Sequence, residues 1–335
     1  MKKLIFITAL IALLGACNSN SDKASNKGQQ QTITSKSVTE ISAEIEKDAT
    51  NPELYYRRAN IYFEEKMLDA ALADIEQSLV LSADQPLYLF MKGRILYAMN
   101  RTQDAATTYE KAIAVKPDFE EAQLKLAELY YIVKEHKKSM DLFNVILANN
   151  KTNTAALFFK GMNFKEIGDT ASAIQTFQKT YEIDPNHYDA VMQLGNLYAG
   201  LKNKIALDYY VTASRLKPKS AEPPYSAGVF FQQNGDYKKA VKMYEQALKA
   251  DEKYYQAYYN SALINIEIGR YSDAIVNLNT VVRLEPGLVD AYYMRGLCYE
   301  ANKNKEDAIV NYQYTLELEP KHTLAQKALA ALKNK

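Results

Sequence analysis

The sequence predicts an all-α protein, an α-solenoid of eight helical hairpins closed by an N-terminal and a C-terminal capping helix. Three observations predict it. A 34-residue period begins at Pro52 and recurs eight times, two columns of small residues keep fixed places within it, and five of the nine prolines share one column. Repetition at such a period marks stacked supersecondary units. The composition agrees: 335 residues, 47% hydrophobic and 24% charged, with 12 Gly, no Trp and 26 Tyr, has few breakers and suits long helices.

The chain opens with an address. Lys2 and Lys3 precede an apolar run from Leu4 to Leu14, too short to span a bilayer, so residues 1–16 read as a secretory signal. The run ends in Leu14-Gly15-Ala16-Cys17, where small residues fit a peptidase cleft and a thiol follows. This tetrapeptide resembles the bacterial lipoprotein lipobox. The resemblance implies cleavage before Cys17, acylation of that cysteine, and stable attachment through several acyl chains. Asn18 is not the aspartate that retains enterobacterial lipoproteins in the inner membrane, so the expected location is the outer membrane, facing the periplasm. Residues 17–37, polar and low in complexity, read as a lipidated cysteine and a flexible tether. Its root-mean-square reach is roughly 22–27 Å. A capping helix is expected over 38–50, because Ser37-Val38-Thr39-Glu40 has capping-box spacing and Val38, Ile41 and Ile45 follow at helical intervals.

Residues 51–322 hold the repeats, with units starting at Pro52, Pro86, Glu120, Thr154, Tyr188, Ala221, Tyr255 and Val289; the fifth is one residue short. Position eight is always small (Ala59, Gly93, Ala127, Gly161, Gly195, Gly228, Ala262, Gly296). Position twenty is alanine except at Ser139. These two stripes are expected to let the paired helices approach. Bulky residues at positions eleven and twenty-four are expected to fill the space between hairpins. Pro117, Pro185, Pro218, Pro286 and Pro320 stop the second helix, and Gly168, Gly235 and Gly269 mark turns inside hairpins. The pattern resembles the tetratricopeptide repeat, which implies a right-handed solenoid. Arg58, Lys92, Lys160, Ser261 and Arg295 depart from it at position seven, where the family often has leucine.

A single hairpin cannot bury its own apolar faces, so the ends need covers. Residues 323–335 are expected to supply the C-terminal one, with Leu324, Ala328, Ala331 and Leu332 on the eighth repeat. The short fifth unit, followed by Pro223-Pro224, predicts a joint between residues 200 and 225 that separates two arcs.

No residues suggest an enzyme. His136, His187 and His322 stand whole repeats apart, and neither a zinc-protease helix, a phosphate loop nor a nucleophile elbow occurs. Cys298, in a packed helix, reads as a small hydrophobe. No cofactor or metal is expected, and the near-balanced charge, +1 overall, argues against nucleic acid. No small-molecule substrate is expected either.

In this family the first helices line a concave groove, with positions two, five, nine, twelve and thirteen facing it. Position five here carries Tyr56, Phe90, Leu124, Phe158, Met192, Tyr225, Tyr259 and Tyr293. The acids at the five positions include Glu53, Glu121, Glu128, Asp189, Glu222, Asp290 and Glu300, with Glu64, Glu166 and Glu267, against Arg94 and Lys165. The resemblance implies a groove for a protein or peptide with apolar and basic residues. Two other roles suit the same side chains: position-two acids favour the positive end of a helix, and the aromatics can pack between neighbouring first helices. The family's clamp for acidic tails is not matched at positions two and five. The expected function is a membrane-anchored scaffold or adaptor of the bacterial envelope. The alternative is a self-assembling structural component, or an assembly factor for a secretion or pilus machine.

Overall fold

A computed structural model describes residues 37–333, so the signal, Cys17 and the tether up to residue 36 lie outside the described residues. Among the described residues there are eighteen α-helices and no strand. After α1 (Val38–Lys47), first helices alternate with second helices. The first helices are α2 (Pro52–Glu64), α4 (Pro86–Ala98), α6 (Glu120–Ile132), α8 (Thr154–Glu166), α10 (Tyr188–Gly200), α12 (Glu222–Gln233), α14 (Tyr255–Glu267) and α16 (Val289–Ala301). The second helices are α3 (Leu68–Leu81), α5 (Thr102–Val115), α7 (His136–Asn149), α9 (Thr170–Ile183), α11 (Ile205–Leu216), α13 (Tyr237–Ala250), α15 (Tyr271–Leu284) and α17 (Lys305–Leu318). Helix α18 (Thr323–Lys333) ends the series. The chain divides into two compact units at Thr108/Tyr109.

In the unit ending at Thr108, Ser37 and Glu40 form a reciprocal capping box: the Ser37 amide donates to Glu40 Oε2 at 2.7 Å and the Glu40 amide to Ser37 Oγ at 3.3 Å. The helix thus started lays Ile41 and Ile45 on Leu54 of α2, beside Tyr55 and Ile61. Arg58 fastens this cover. Its guanidinium reaches both carboxylate oxygens of buried Asp74 at 2.6 and 2.8 Å and Ser42 Oγ of α1 at 2.8 Å. The departure from leucine at position seven is therefore a hydrogen-bonded bridge, and such forked pairs are the strong kind.

In the unit from Tyr109, the small column at position eight has a different cause from the one its sequence suggests. A Cβ added at Gly161 would stand 2.7 Å from Phe177 Cε1, and one at Gly195 or Gly296 would stand 2.6 Å from Cε1 of Tyr210 or Tyr312. The ring at position twenty-four thus lies inside its own hairpin, under the first helix, rather than only between hairpins. Tyr210, Tyr244 and Tyr312 all face glycine, whereas aliphatic Ile75 and Leu278 share their hairpins with Ala59 and Ala262.

All eight hairpin turns have one geometry. Position fifteen is left-handed at Lys66, Asn100, Lys134, Gly168, Lys202, Gly235, Gly269 and Lys303, with φ between 55° and 83°. Each turn has the paired bonds of a Schellman cap, as where Glu135 N donates to Tyr130 O at 2.8 Å and Lys134 N to Tyr131 O at 3.0 Å. Glycine announces three of these turns; the lysines hide four. A side chain in this region costs roughly 1–2 kcal/mol, partly offset by the entropy glycine loses on folding. Lys134→Gly, Lys202→Gly and Lys303→Gly are each expected to stabilise the protein by about 0.5–1 kcal/mol, read as a higher urea midpoint; a lower midpoint would contradict the assignment.

The expected joint does not divide the chain. Residues 109–335 form one compact unit, and Tyr188, Val191, Met192, Tyr210, Ala213, Ala227 and Phe230 make one buried cluster across it. Helix α11 is shorter, 12 residues against 14 in α9, and Pro223 and Pro224 sit in the first turn of α12, where the missing N–H groups have no intrahelical acceptor. The C-terminal cover also differs in register. Ala325 and Leu332 are buried, with Ala328 and Leu329 beside them, while Leu324 is 54% exposed and Ala331 is exposed. Alanines on several faces of α18 left its buried stripe ambiguous in sequence.

Candidate functional site

Within each unit, successive first helices touch directly: α2 meets α4, and in the longer unit α6 meets α8, α10 meets α12 and α12 meets α14. Their outward residues therefore share a face. Seven of the eight position-five side chains are half-buried on it, namely Tyr56, Phe90, Leu124, Phe158, Tyr225, Tyr259 and Tyr293, and Met192 is buried at 3% exposure.

These rings also pack. Tyr56 lies 5.1 Å from Tyr88, Phe158 5.0 Å from His187, Tyr225 5.2 Å from Tyr254 and Tyr293 4.8 Å from His322, centroid to centroid. His187, Tyr254 and His322 immediately precede the next helix, and the two histidines cap it through Nδ1, accepting from Ala190 N at 3.2 Å and Ala325 N at 3.1 Å. Position five thus joins each repeat to the next while leaving part of each ring in solvent.

The acids divide into tied and open groups. Glu53 pairs with Arg57 at 3.0 Å and accepts from the Tyr88 hydroxyl at 3.3 Å. Glu128 pairs with Lys125 at 2.9 Å, Glu300 accepts from Tyr312 at 2.7 Å, and Glu222 accepts from Tyr188 at 3.3 Å. Glu121, Asp189, Glu222 and Asp290 are exposed. Sequence reasoning missed the tyrosines that hold these carboxylates, although Tyr88 and Tyr188 stand about one repeat from Glu53 and Glu222.

The rings beneath the glycines complete this face from behind. Tyr210 donates to Asn196 Oδ1 at 2.9 Å and Tyr244 to Gln232 Oε1 at 2.5 Å, just as Tyr312 donates to Glu300. Asn260 Nδ2 donates to the Tyr225 hydroxyl at 3.1 Å. Burial raises the Tyr259 phenol to about 12, with Asp290 adding to the effect, and raises Tyr225 and Tyr293 as well. The face therefore offers neutral phenols beside ionised carboxylates at neutral pH, a surface suited to apolar and cationic groups. Cys298 is fully buried, and burial pushes its thiol up to about 12, which suits packing rather than nucleophilic chemistry. Among the described residues no group of His, Cys, Asp and Glu could hold a metal, and no helix is long and apolar enough to cross a membrane.

The repeated hairpin and its first-helix face define an α-helical repeat protein. Family models described as tetratricopeptide repeat match residues 52–85, 154–187, 231–295 and 290–322, and one described as TPR repeat matches 93–132. The chain belongs to the tetratricopeptide repeat family. The C-terminal part of a TPR repeat-containing protein from Cytophaga hutchinsonii has this fold, with TM-score 0.61 and 20% identity over 72% of this chain and 99% of that one. So does a tetratricopeptide repeat protein from Parabacteroides merdae, with TM-score 0.55 and 15% identity over 74% and 98%. The TPR repeat-containing protein MJ1428 of Methanocaldococcus jannaschii is 26% identical over 58% of this chain and 36% of its own length. The chain spans less than half the length of the curated relatives it matches.

Proposed function

We propose that this protein is a lipid-anchored adaptor of the bacterial envelope, attached through Cys17 to the outer membrane, that holds a partner polypeptide on its first-helix face. The partner carries apolar and basic residues. The observation that carries the binding reading is the row of half-exposed rings at Tyr225, Tyr259 and Tyr293, interleaved with exposed Glu222 and Asp290. Large amphipathic rings give contact area at low entropic cost and are enriched where proteins bind proteins. The anchoring reading rests on Leu14-Gly15-Ala16-Cys17 and the polar stretch after it. The adaptor is not itself an enzyme; an activity in its complex belongs to the recruited partner.

Crosslinking in native cells, followed by partner identification, tests both parts. Replacing Tyr225, Tyr259 and Tyr293 together with alanine is expected to lower recovery of the main partner about tenfold or more, the loss expected for a few central aromatic anchors. An unchanged partner set would refute the binding face. Cys17→Ser is expected to move the protein from the membrane to the soluble fraction, and full retention on membranes would refute the anchor.

A further inference from the structure

The junction between α10 and α12 gathers charges and rings in a way the fold alone does not require. Tyr188, at the start of α10, directs its hydroxyl to Glu222 Oε2 at 3.3 Å and to Ser220 Oγ at 3.1 Å. Over the face of the same ring stands Lys217 Nζ, 3.7 Å from the centroid, at the distance of a close cation–π contact. Lys217 and Ser220 line an open depression with Pro218 and Lys219. Glu222 and Lys217 are both exposed, whereas Tyr188 is only 8% exposed beneath them. Tyr254 lies within electrostatic reach of Glu222 and Tyr188. No ion pair between Lys217 and Glu222 is present among the described residues, so the lysine is held there by the ring rather than by the carboxylate.

We infer that Tyr188 and Glu222 form a seat for a cationic side chain of the bound polypeptide, a lysine or arginine, which displaces Lys217 from the ring. Lys217 is the resident occupant: a primary ammonium on a flexible stem, exposed and free to swing into water. An incoming cation exchanges one ring contact for another and gains the Glu222 carboxylate, which Lys217 does not engage. The inference rests on the proposed binding face and adds to it the place where a basic residue is read.

The probe is n-butylammonium, a lysine side chain without its backbone, with n-butanol as the neutral isostere. Both are titrated into full-length protein carrying 13C-labelled tyrosine rings, with the Tyr188 signal assigned by its loss in Tyr188→Phe. The ammonium is expected to shift the Tyr188 signal saturably and the alcohol is not. Glu222→Gln is expected to weaken binding of the ammonium about threefold or more. Lys217→Ala, which removes the competitor, is expected to tighten it by about the same factor. Equal responses to the ammonium and the alcohol would overturn the inference. So would a Lys217→Ala variant that binds no tighter, the result for a lysine that merely buttresses the junction. Because the probe is read without a partner, this result and the crosslinking result can fail separately.

Discussion

Gly195→Ala is expected to destabilise the longer unit by about 1–3 kcal/mol, although glycine is the poorer helix former of the two. The added methyl group would stand 2.6 Å from Cε1 and 2.9 Å from Cδ1 of Tyr210. That ring is 2% exposed and enclosed by Tyr188, Val191, Met192 and Ala206, so it has nowhere to retreat without moving α11 from α10. The clash should outweigh the roughly 1 kcal/mol that alanine contributes through helix propensity. The fold suggests its own compensation, because the repeats with alanine at position eight include Leu278 and Ile75 at position twenty-four. Tyr210→Leu alone removes buried ring surface and the bond to Asn196, whose side chain is exposed and can turn to water. Combined with Gly195→Ala it is expected to recover about 1 kcal/mol or more relative to the sum of the single changes. Repeat arrays need not unfold in one step. The measurement is therefore a double-mutant cycle read by urea unfolding together with hydrogen exchange in α10 and α11. Strict additivity would show that glycine and ring are not coupled.

This pair also shows what can be read from sequence. The period exposed the small column at position eight, the alanines at position twenty and the prolines between hairpins, and these decide the helical hairpin and its repetition. A small residue does not reveal which neighbour requires it to be small, so the ring at position twenty-four had to be found by geometry. The left-handed turns at Lys66, Lys134, Lys202 and Lys303 were invisible for a related reason: backbone bonds enforce them, and lysine carries no mark of that conformation. Candidate residues at position five were legible because aromatics on a helix face stand out. Their second role, stacking on His187, Tyr254 and His322, was left open because it depends on where the next helix begins. The division of the acids into tied and open ones depends on tyrosines about a repeat away and could not be read from local spacing.

Asn163→Leu is expected to cost about 1–3 kcal/mol, whereas the same change combined with Ser139→Ala is expected to be close to neutral. Asn163 is fully buried. Its amide donates to Ser139 Oγ at 3.0 Å and to Phe159 O at 3.2 Å, and its oxygen faces His136 Nδ1 at 2.9 Å. Ser139 in turn donates to Ala127 O at 2.8 Å. Leucine at position 163 leaves the serine facing an apolar group and takes the histidine's acceptor away. With alanine at 139 the site becomes that of other repeats, where position ten is aliphatic, as at Leu129 and Ile264, and position twenty is alanine. His136 is only half-buried and can bond to water. A network that apolar residues can replace at little cost contributes something other than stability. Eight similar hairpins can stack in shifted or exchanged order, and one junction with its own hydrogen-bond pattern makes the contact of the third repeat with the fourth unlike every other. The double variant is accordingly expected to keep its urea midpoint within about 1 kcal/mol of the parent while yielding more dimers and larger species on refolding at high concentration, measured by light scattering. Refolding to monomer as cleanly as the parent would remove the register role and leave the network as one of several equivalent ways to fill the core.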